Sequence, residues 1–129
     1  MGRLLKEGHR VRLFDNDFCG SVDTIGDIFD QIEFVSGDIR DAVSVMDAIS
    51  GVDVVWHLVY INGTPFYYSK PELVLDVAIR DMLNVFDGCR AHGVRQLIYA
   101  SSSEVYQTPL IVPTDEKVTL SVPDPLNPR

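Results

Sequence analysis

The sequence predicts an α/β fold in which a parallel sheet is built from strand–helix–strand units. Short apolar segments alternate with segments of helical periodicity along the 129 residues, which is typical of βαβ units with right-handed crossovers. Residues 52–59 are almost continuously apolar, the pattern of a strand whose sheet is covered on both faces. A chain of this length has room for one core, so we expect a single domain over residues 1–129.

The predicted strands and helices alternate along the chain. In order they are a helix over Gly2–Glu7, a strand over Val11–Phe14, a loop over Asn16–Ile25 with a short helix before Gln31, a strand over Ile32–Ser36, a helix over Ala42–Ile49, a strand over Val52–Val59, a loop over Tyr60–Lys70, a long helix from Pro71 and a strand over Val94–Ala100. Five of the seven prolines follow residue 106, so we expect an extended, Pro-rich loop over residues 107–129.

Helix boundaries are indicated by capping residues. Gly8, Gly51 and Gly93 stand where a left-handed residue commonly ends a helix. Asp41 is a good N-cap, and Pro71 suits a first helical turn. Two apolar faces follow the helical period, and we expect both to be core: Ala42, Val45, Met46 and Ile49 on the first helix, and Leu75, Ile79, Met82, Phe86 and Cys89 on the long one.

Composition excludes several classes of partner. The net charge is −8 and no segment gathers Lys and Arg, which argues against nucleic acid and against an anionic membrane surface. No segment has the length of a membrane span or the form of a signal peptide. Cys19 and Cys89 are too few for a metal site, so we expect no metal, two free thiols and a cytoplasmic location.

The segment from Leu97 to Tyr106 is the most informative one for function. Its apolar run opens into Ser102, Ser103 and Glu104, at the carboxyl end of a predicted strand, where a parallel sheet carries its ligand site. A hydroxyl beside a carboxylate can polarise an oxygen of a ligand and move a proton, so these three residues are candidate catalytic groups. The alternative is a hydroxyl-rich turn that satisfies its own backbone.

Several motifs together resemble a known family. They are Asp15, Gly37-Asp38-Ile39-Arg40-Asp41, Trp56-His57-Leu58, Asn84-Val85 and Ser101-Ser102-Ser103-Glu104-Val105-Tyr106. With these motifs in this order, the chain resembles the extended short-chain dehydrogenases/reductases, and more narrowly the NAD-dependent epimerases, dehydratases and decarboxylases of nucleotide sugars. The resemblance runs from about residue 2 to residue 129 and implies a partial Rossmann-like, doubly wound parallel sheet.

The resemblance implies a dinucleotide site at the strand ends. Asp15, with Asn16 beside it, would accept hydrogen bonds from the adenosine ribose, and its charge would favour NAD over NADP. Asp38 would accept from the exocyclic amine of the adenine ring, and Ile39 would pack on that ring. The alternatives are a turn-forming role for Asp15 and an N-cap region over residues 38–41.

Further roles follow from the same resemblance. Leu58, Val59 and Tyr60 would pass the cofactor's ribose and phosphates, and Ala100 would lie on the nicotinamide side. Ser102 corresponds to the family's catalytic Ser/Thr, whereas Ser103 and Glu104 stand where dehydratases and decarboxylases keep extra acid/base groups. His57, inside an apolar strand, is interpreted as a hydrogen-bonded core residue.

Two family motifs are missing from the sequence. No Gly-x-x-Gly-x-x-Gly loop precedes Asp15, and Gly20 and Gly26 have only its outer spacing. The family's catalytic base is a Tyr that is followed by a Lys four residues later, and none of the five tyrosines here has such a Lys. We therefore expect a chain cut at both ends and inactive alone. We also expect a gap where the absent first strand would lie, between the strands at 11–14 and 52–59.

The sequence thus predicts a fragment of an NAD-dependent nucleotide-sugar epimerase, whose intact parent forms a homodimer through paired helices. A nucleotide-sugar dehydratase or decarboxylase is the alternative, because Ser103-Glu104 suits elimination. A non-catalytic NAD-binding or interaction module is a second alternative, since the Tyr-x-x-x-Lys pair is absent. A flavodoxin-like or receiver domain, with Asp15 or Asp38 in an acidic pocket, ranks last, because a receiver needs a Lys just after the last strand and none lies near Tyr99–Ser103.

Overall fold

The chain divides into two compact units in the computed structural model, which describes residues 1–18, 20–61, 64–106 and 111–121. The first unit is Met1–Ile98 and the second is Tyr99–Arg129. The first unit carries nearly all of the regular secondary structure. The single domain expected over residues 1–129 stays a prediction.

Helices and strands alternate in the first unit, as the sequence predicted. They are α1 (Gly2–Lys6), β1 (Arg12–Asp15), a 3-10 helix (Val22–Gln31) with a kink at Gly26, β2 (Glu33–Ser36), α2 (Ala42–Ile49), β3 (Val54–His57), α3 (Thr64–Ser69), α4 (Pro71–His92) and β4 (Gln96–Tyr99), whose last residue opens the second unit. Gly8, Gly51 and Gly93 all have positive φ, which confirms the three predicted left-handed caps. The Asp41 carboxylate accepts from the backbone N–H of Val43 at 3.0 Å and caps α2.

The strands form two separate sheets of two strands each. β1 pairs in parallel with β2, with Arg12 opposite Glu33 and Asp15 opposite Ser36. β3 pairs with β4. Within the described residues, no strand pairs with the remaining edge of β1 or of β3. This arrangement matches the gap that the sequence predicted between these two strands.

Helices α2 and α4 pack against each other and link the two sheets. Val45, Ile49 and Val85 form a buried cluster, named here the α2–α4 core. Phe14 of β1, Val55 of β3 and Leu97 of β4 pack against that cluster. A second cluster, the α3–α4 core, consists of Ile61, Val74 and Val77. Both sheets therefore rest on the same pair of helices.

The predicted core face of α4 is wrong in part. Leu75, Ile79 and Phe86 are 62%, 58% and 49% exposed, whereas Cys89 packs against the α2–α4 core. The buried residues of α4 are Val74, Val77, Asp81, Val85 and Gly88. This helix carries two apolar stripes, and periodicity identifies such stripes without telling which one meets the sheet. Similarly, Ala42 of α2 is exposed, and Ala48 is buried instead.

Two further predictions are corrected. The expected loop over Tyr60–Lys70 contains α3, because Phe66 packs on the α3–α4 core and lies 5.8 Å from the ring of Phe18. The sequence also predicted that residues 52–59 are covered on both faces of the sheet. Within the described residues this is wrong for the face that carries Trp56 and Leu58, which are 54% and 65% exposed. Helix α3 and the exposure of one face of β3 both depend on long-range packing, which a local sequence pattern does not reveal.

The second unit contains a short 3-10 helix, Ser103–Tyr106. The backbone N–H of Ser121 donates to the carbonyl of Val105 at 3.0 Å and closes this unit on itself. Residues 111–121 form bends and turns without helix or strand, as expected for the Pro-rich segment. Residues 107–110 and 122–129 of the predicted loop lie outside the described part of the chain.

Candidate functional site

Two carboxylates follow neighbouring strands at one edge of the first sheet. Asp15 ends β1 opposite Ser36, which ends β2. The N–H of Gly37 donates to the carbonyl of Asp15 at 3.0 Å, and Asp38 is the next residue. Because β1 and β2 are parallel, their carboxyl ends meet at the same edge. The structure therefore places Asp15 and Asp38 at the same end of the β1–β2 sheet, and a ligand site shared by their carboxylates stays a prediction.

Asp15 and Asn16 build the turn that leaves β1. Oδ1 of Asp15 accepts from the N–H of Asp17 at 2.7 Å, and Oδ1 of Asn16 accepts from the N–H of Phe18 at 3.1 Å. Asp17 has φ 54°, a left-handed conformation that Asp tolerates. The turn-forming interpretation of Asp15 is thus confirmed. Its side chain is exposed, so a carboxylate oxygen also faces solvent.

Gly37 lets the loop after β2 approach β1 closely. A Cβ at this position would lie 2.6 Å from Cε2 and 2.7 Å from Cζ of Phe14, and 3.4 Å from Cβ of Ser44. A side chain here would push the Phe14 ring out of its contact with the α2–α4 core. The missing side chain therefore sets the position of Asp38 relative to β1.

The Asp38 carboxylate is held by Arg40. Oδ1 accepts from Nε of Arg40 at 2.9 Å and from its backbone N–H at 2.9 Å, and Oδ2 accepts from Nη2 at 2.6 Å. These hydrogen bonds from Arg40 lower the pKa of Asp38, although partial burial opposes them. Nη1 of Arg40 lies 3.6 Å from Oδ2 of Asp76 on α4. Asp76 is also paired with Arg80, one turn further along α4.

Ile39 joins the loop to the interior. Its side chain is half-buried and packs against both the α2–α4 core and the α3–α4 core. Nδ2 of Asn84, on α4, donates to its carbonyl oxygen at 2.9 Å. The sequence showed Asn84 in a motif without giving it a role. The roles of Arg40 and Asp76 were also missed, and only the proximity of Arg40 to Asp38 along the chain could have suggested one of them.

The carboxyl end of β3 presents an exposed segment. Leu58, Val59 and Tyr60 are 65%, 37% and 49% exposed. The Tyr60 hydroxyl is hydrogen-bonded to that of Tyr67 on α3, which ties this segment to the helix. Exposed apolar residues just after a strand match the position at which a parallel sheet receives a ligand.

A buried polar pair lies directly before this segment. His57 and Asp81 are 4% and 3% exposed, and Nε2 of His57 lies 3.6 Å from Oδ2 of Asp81. Burial lowers the pKa of His57, and the charge of Asp81 opposes this. Burial likewise raises the pKa of Asp81, and His57 opposes it. The structure confirms that His57 is a core residue, with the Asp81 carboxylate as its charged neighbour; the hydrogen bond expected of His57 stays a prediction.

The predicted catalytic residues belong to the second unit. Ala100 and Ser102 are exposed, and the carbonyl of Ser102 accepts from the N–H of Val105 at 3.3 Å as the 3-10 helix begins. The side chains of Ser103 and Glu104 lie outside the described part of the structure, as does Cys19. Their assigned roles stay predictions.

Among the described side chains, no group of three or more His, Cys, Asp or Glu residues could hold a metal ion. Within the same part of the chain, no helix has the length and apolar character needed to cross a membrane. The thiol of Cys89 is free.

The sequence of this chain is similar to those of two enzymes that have nucleotide-sugar names. A UDP-glucose 4-epimerase of Corynebacterium glutamicum is 27% identical over 113 residues, 88% of this chain and 33% of that protein. A dTDP-glucose 4,6-dehydratase of Mycobacterium tuberculosis is 28% identical over 111 residues, 86% of this chain and 32% of the enzyme. The chain thus spans about a third of the length of these relatives.

Solved structures show the same fold. The UDP-glucose 4-epimerase of Bifidobacterium longum, in complex with NAD+ and UDP, superimposes with a TM-score of 0.79 at 25% identity. The match covers 92% of this chain and 37% of the epimerase. The family model of the NAD-dependent epimerase/dehydratase family matches residues 1–128. This chain therefore belongs to the NAD-dependent epimerase/dehydratase family.

Proposed function

We propose that this chain supplies the adenosine side of an NAD site in an epimerase that acts on nucleotide sugars. The observation that carries the proposal is the position of Asp15 at the carboxyl end of β1 and of Asp38 just after the carboxyl end of the parallel strand β2. A solvent-facing carboxylate at the end of β1 suits ribose hydroxyl groups, which donate hydrogen bonds to it. The carboxylate after β2 suits the exocyclic amine of adenine.

The described residues fit the adenosine half of the cofactor better than its pyrophosphate. Asp15 and Asn16 would bind the ribose, Asp38 and Ile39 the adenine, and the exposed segment from Leu58 to Tyr60 would line the path toward the nicotinamide. When bound, the nicotinamide supplies the acceptor for a hydride. The sequence contains no glycine-rich loop for the phosphates, so we expect this chain alone to bind NAD weakly.

The sugar side of the reaction is assigned to the second unit. By the family resemblance, Ser102 would hydrogen-bond the sugar hydroxyl group that is oxidised, and Ala100 would lie on the nicotinamide side. Proton removal from that hydroxyl needs a base, and no tyrosine of this chain has a Lys four residues later. We therefore expect the 129-residue chain alone to show binding without turnover.

The alternative is a nucleotide-sugar dehydratase or decarboxylase, favoured by Ser103-Glu104. Replacing Glu104 by Gln in a full-length parent separates the two reactions. Elimination needs the acid and should lose most of its rate, whereas epimerisation should keep it. A non-catalytic NAD-binding module would show unchanged nucleotide binding and no turnover in the full-length parent.

For the intact parent we expect a homodimer, and we propose that α4 carries its interface. Leu75, Ile79, Leu83 and Phe86 form an apolar stripe that is 49–62% exposed. A stripe of this kind marks an interaction surface, and two copies related by a twofold axis would cover it. Ile79→Glu should shift sedimentation toward the monomer, whereas Val43→Glu on α2 should not. A monomeric wild type at all concentrations contradicts this expectation.

NAD binding by the chain tests the central proposal. We expect Asp15→Asn and Asp38→Asn each to weaken NAD about tenfold in an NMR titration, because each removes a charge-assisted hydrogen bond. Asp87→Asn is the matched control, since that carboxylate is exposed on α4 and pairs with Arg90. Asp15→Asn should also reduce the preference for NAD over NADP. Unchanged affinities in both variants contradict the proposal.

The free thiol of Cys89 suits a cytoplasmic location, which we also expect.

A further inference from the structure

We propose that Arg40 is a positioning residue that leaves a single acceptor site on Asp38 for the adenine amine. By doing so it would set the preference for adenine over purines that carry an oxygen at the same ring position. This inference rests on the proposed function, in which Asp38 binds the adenine ring. It assigns a role in nucleotide specificity to a residue outside the set predicted to contact the cofactor.

The first argument is a count of lone pairs on the Asp38 carboxylate. An ionised carboxylate offers about four acceptor positions, two on each oxygen. Oδ1 receives both the Nε and the backbone N–H of Arg40, each at 2.9 Å, so it has none left. Oδ2 receives Nη2 at 2.6 Å and keeps one. The side chain of Asp38 remains 34% exposed, so that last position can be reached from solvent.

The second argument is that a carboxylate of α4 also contacts the guanidinium group of Arg40. Nη1 of Arg40 lies 3.6 Å from Oδ2 of Asp76, so its planar fork spans two carboxylates, one on the loop and one on α4. Asn84 fixes the same loop through the carbonyl of Ile39. With the guanidinium group held on two sides, the plane of the Asp38 carboxylate has little freedom to rotate.

The remaining acceptor discriminates by the chemistry of the group it meets. The amine of adenine donates a hydrogen bond to it, whereas hypoxanthine presents a carbonyl oxygen, whose lone pairs repel an ionised carboxylate. The hydrogen bonds from Arg40 lower the pKa of Asp38, which keeps the carboxylate an acceptor throughout the physiological pH range. A purely structural role for Arg40 would act equally on both purines.

The decisive experiment compares AMP with IMP as probes, by NMR titration of the full chain. We expect wild type to favour AMP, and Arg40→Gln to reduce the ratio of the two affinities about tenfold, because a freely rotating carboxylate no longer presents one fixed acceptor. Asp76→Asn should reduce the ratio in the same direction by less. Arg90→Gln is the matched control, since it removes an arginine of α4 whose ion-pair partner among the described residues is Asp87, and the ratio should stay unchanged.

A measurement on the free protein keeps the inference testable apart from nucleotide binding. The pKa of the Asp38 carboxyl group, followed by ¹³C NMR, should rise in Arg40→Gln and stay constant in Arg90→Gln. An unchanged pKa, an equal loss of AMP and IMP affinity, or tighter AMP binding in Arg40→Gln would each overturn the inference. Failure of wild type to bind NAD or AMP, with the pKa rising as expected, would refute the proposed function instead.

Discussion

Removal of either partner of the buried pair formed by His57 and Asp81 should have different effects on stability at pH 8. His57→Gln leaves the Asp81 carboxylate 3% exposed, and Oδ1 of that carboxylate has no hydrogen-bond partner among the described residues. Because burial lowers the pKa of His57, the imidazole is neutral at pH 8, and its loss removes a polar neighbour of Asp81 and not a countercharge. A buried group that loses its polar partner costs about 1–3 kcal/mol of unfolding free energy. For a chain whose total stability is about 5–15 kcal/mol, that is a large loss.

Asp81→Asn should be milder under the same conditions. Burial lowers the pKa of His57 below its ordinary value of 6.5, so the imidazole is neutral at pH 8 and leaves no bare charge behind. We expect a change of about 1 kcal/mol or less, mostly from the polar amide that remains buried. The double variant His57→Gln/Asp81→Asn should recover most of the stability that His57→Gln loses.

Urea denaturation followed by far-UV circular dichroism measures these differences. The single tryptophan, Trp56, is 54% exposed, so its fluorescence is a poor reporter of unfolding. The reasoning would be refuted if Asp81→Asn cost as much as His57→Gln at pH 8, or if the double variant were less stable than His57→Gln. Either result would mean that the ionised carboxylate stabilises the fold by itself.

Three other changes test the fold. Gly37→Ala should destabilise the chain by about 1–3 kcal/mol in thermal denaturation, because its Cβ meets the Phe14 ring, whereas Gly20→Ala, with nothing within 4 Å, should not. Arg12→Gln should cost about 1–2 kcal/mol in the same assay, because the guanidinium group donates to two carbonyls at the end of α2 at 2.7 and 2.8 Å. A pH series of urea denaturations tests the pKa of His57, which burial lowers in the folded state. The stability that the neutral imidazole contributes is complete above pH 6.5 and is lost as the pH falls through the lowered pKa, because the unfolded state then binds more protons than the folded state. The stability that the protonated Asp81 contributes is complete at low pH and is lost as the pH rises, because the pKa of Asp81 is raised from 3.8 in the folded state. The stability of Asp81→Asn relative to wild type should therefore increase between acidic and neutral pH.

Features that depend on a few neighbouring residues could be predicted from the sequence. The caps at Gly8, Asp41 and Gly93 were correct, since a cap is a hydrogen bond within one turn. The alternation of strands and helices was also correct, because hydrophobic period is a local property. The predicted alternation of strands and helices, together with the ordered motifs, placed Asp15 and Asp38 at the ends of neighbouring strands.

Contacts between distant segments were decided by the tertiary structure. Which stripe of α4 is buried depends on the sheet and on α2, so the prediction that Leu75 and Ile79 lie in the core is wrong and both are exposed. Helix α3 depends on the packing of Phe66 against α4, so the sequence predicts a loop there and the structure has a helix. The ion pair of Arg40 with Asp76 joins residues 36 positions apart, and that of His57 with Asp81 joins residues 24 apart, so no local pattern announces them.

The sequence by itself determined the order of the elements, their caps and the polar residues at the strand ends, because these follow from chemistry within a turn or a strand. Only the tertiary structure decided which apolar faces are buried, how Arg40 and Asn84 fix the loop of Asp38, and that Asp81 lies against His57. Burial and long-range hydrogen bonds depend on which elements meet in space, and that is a property of the whole fold.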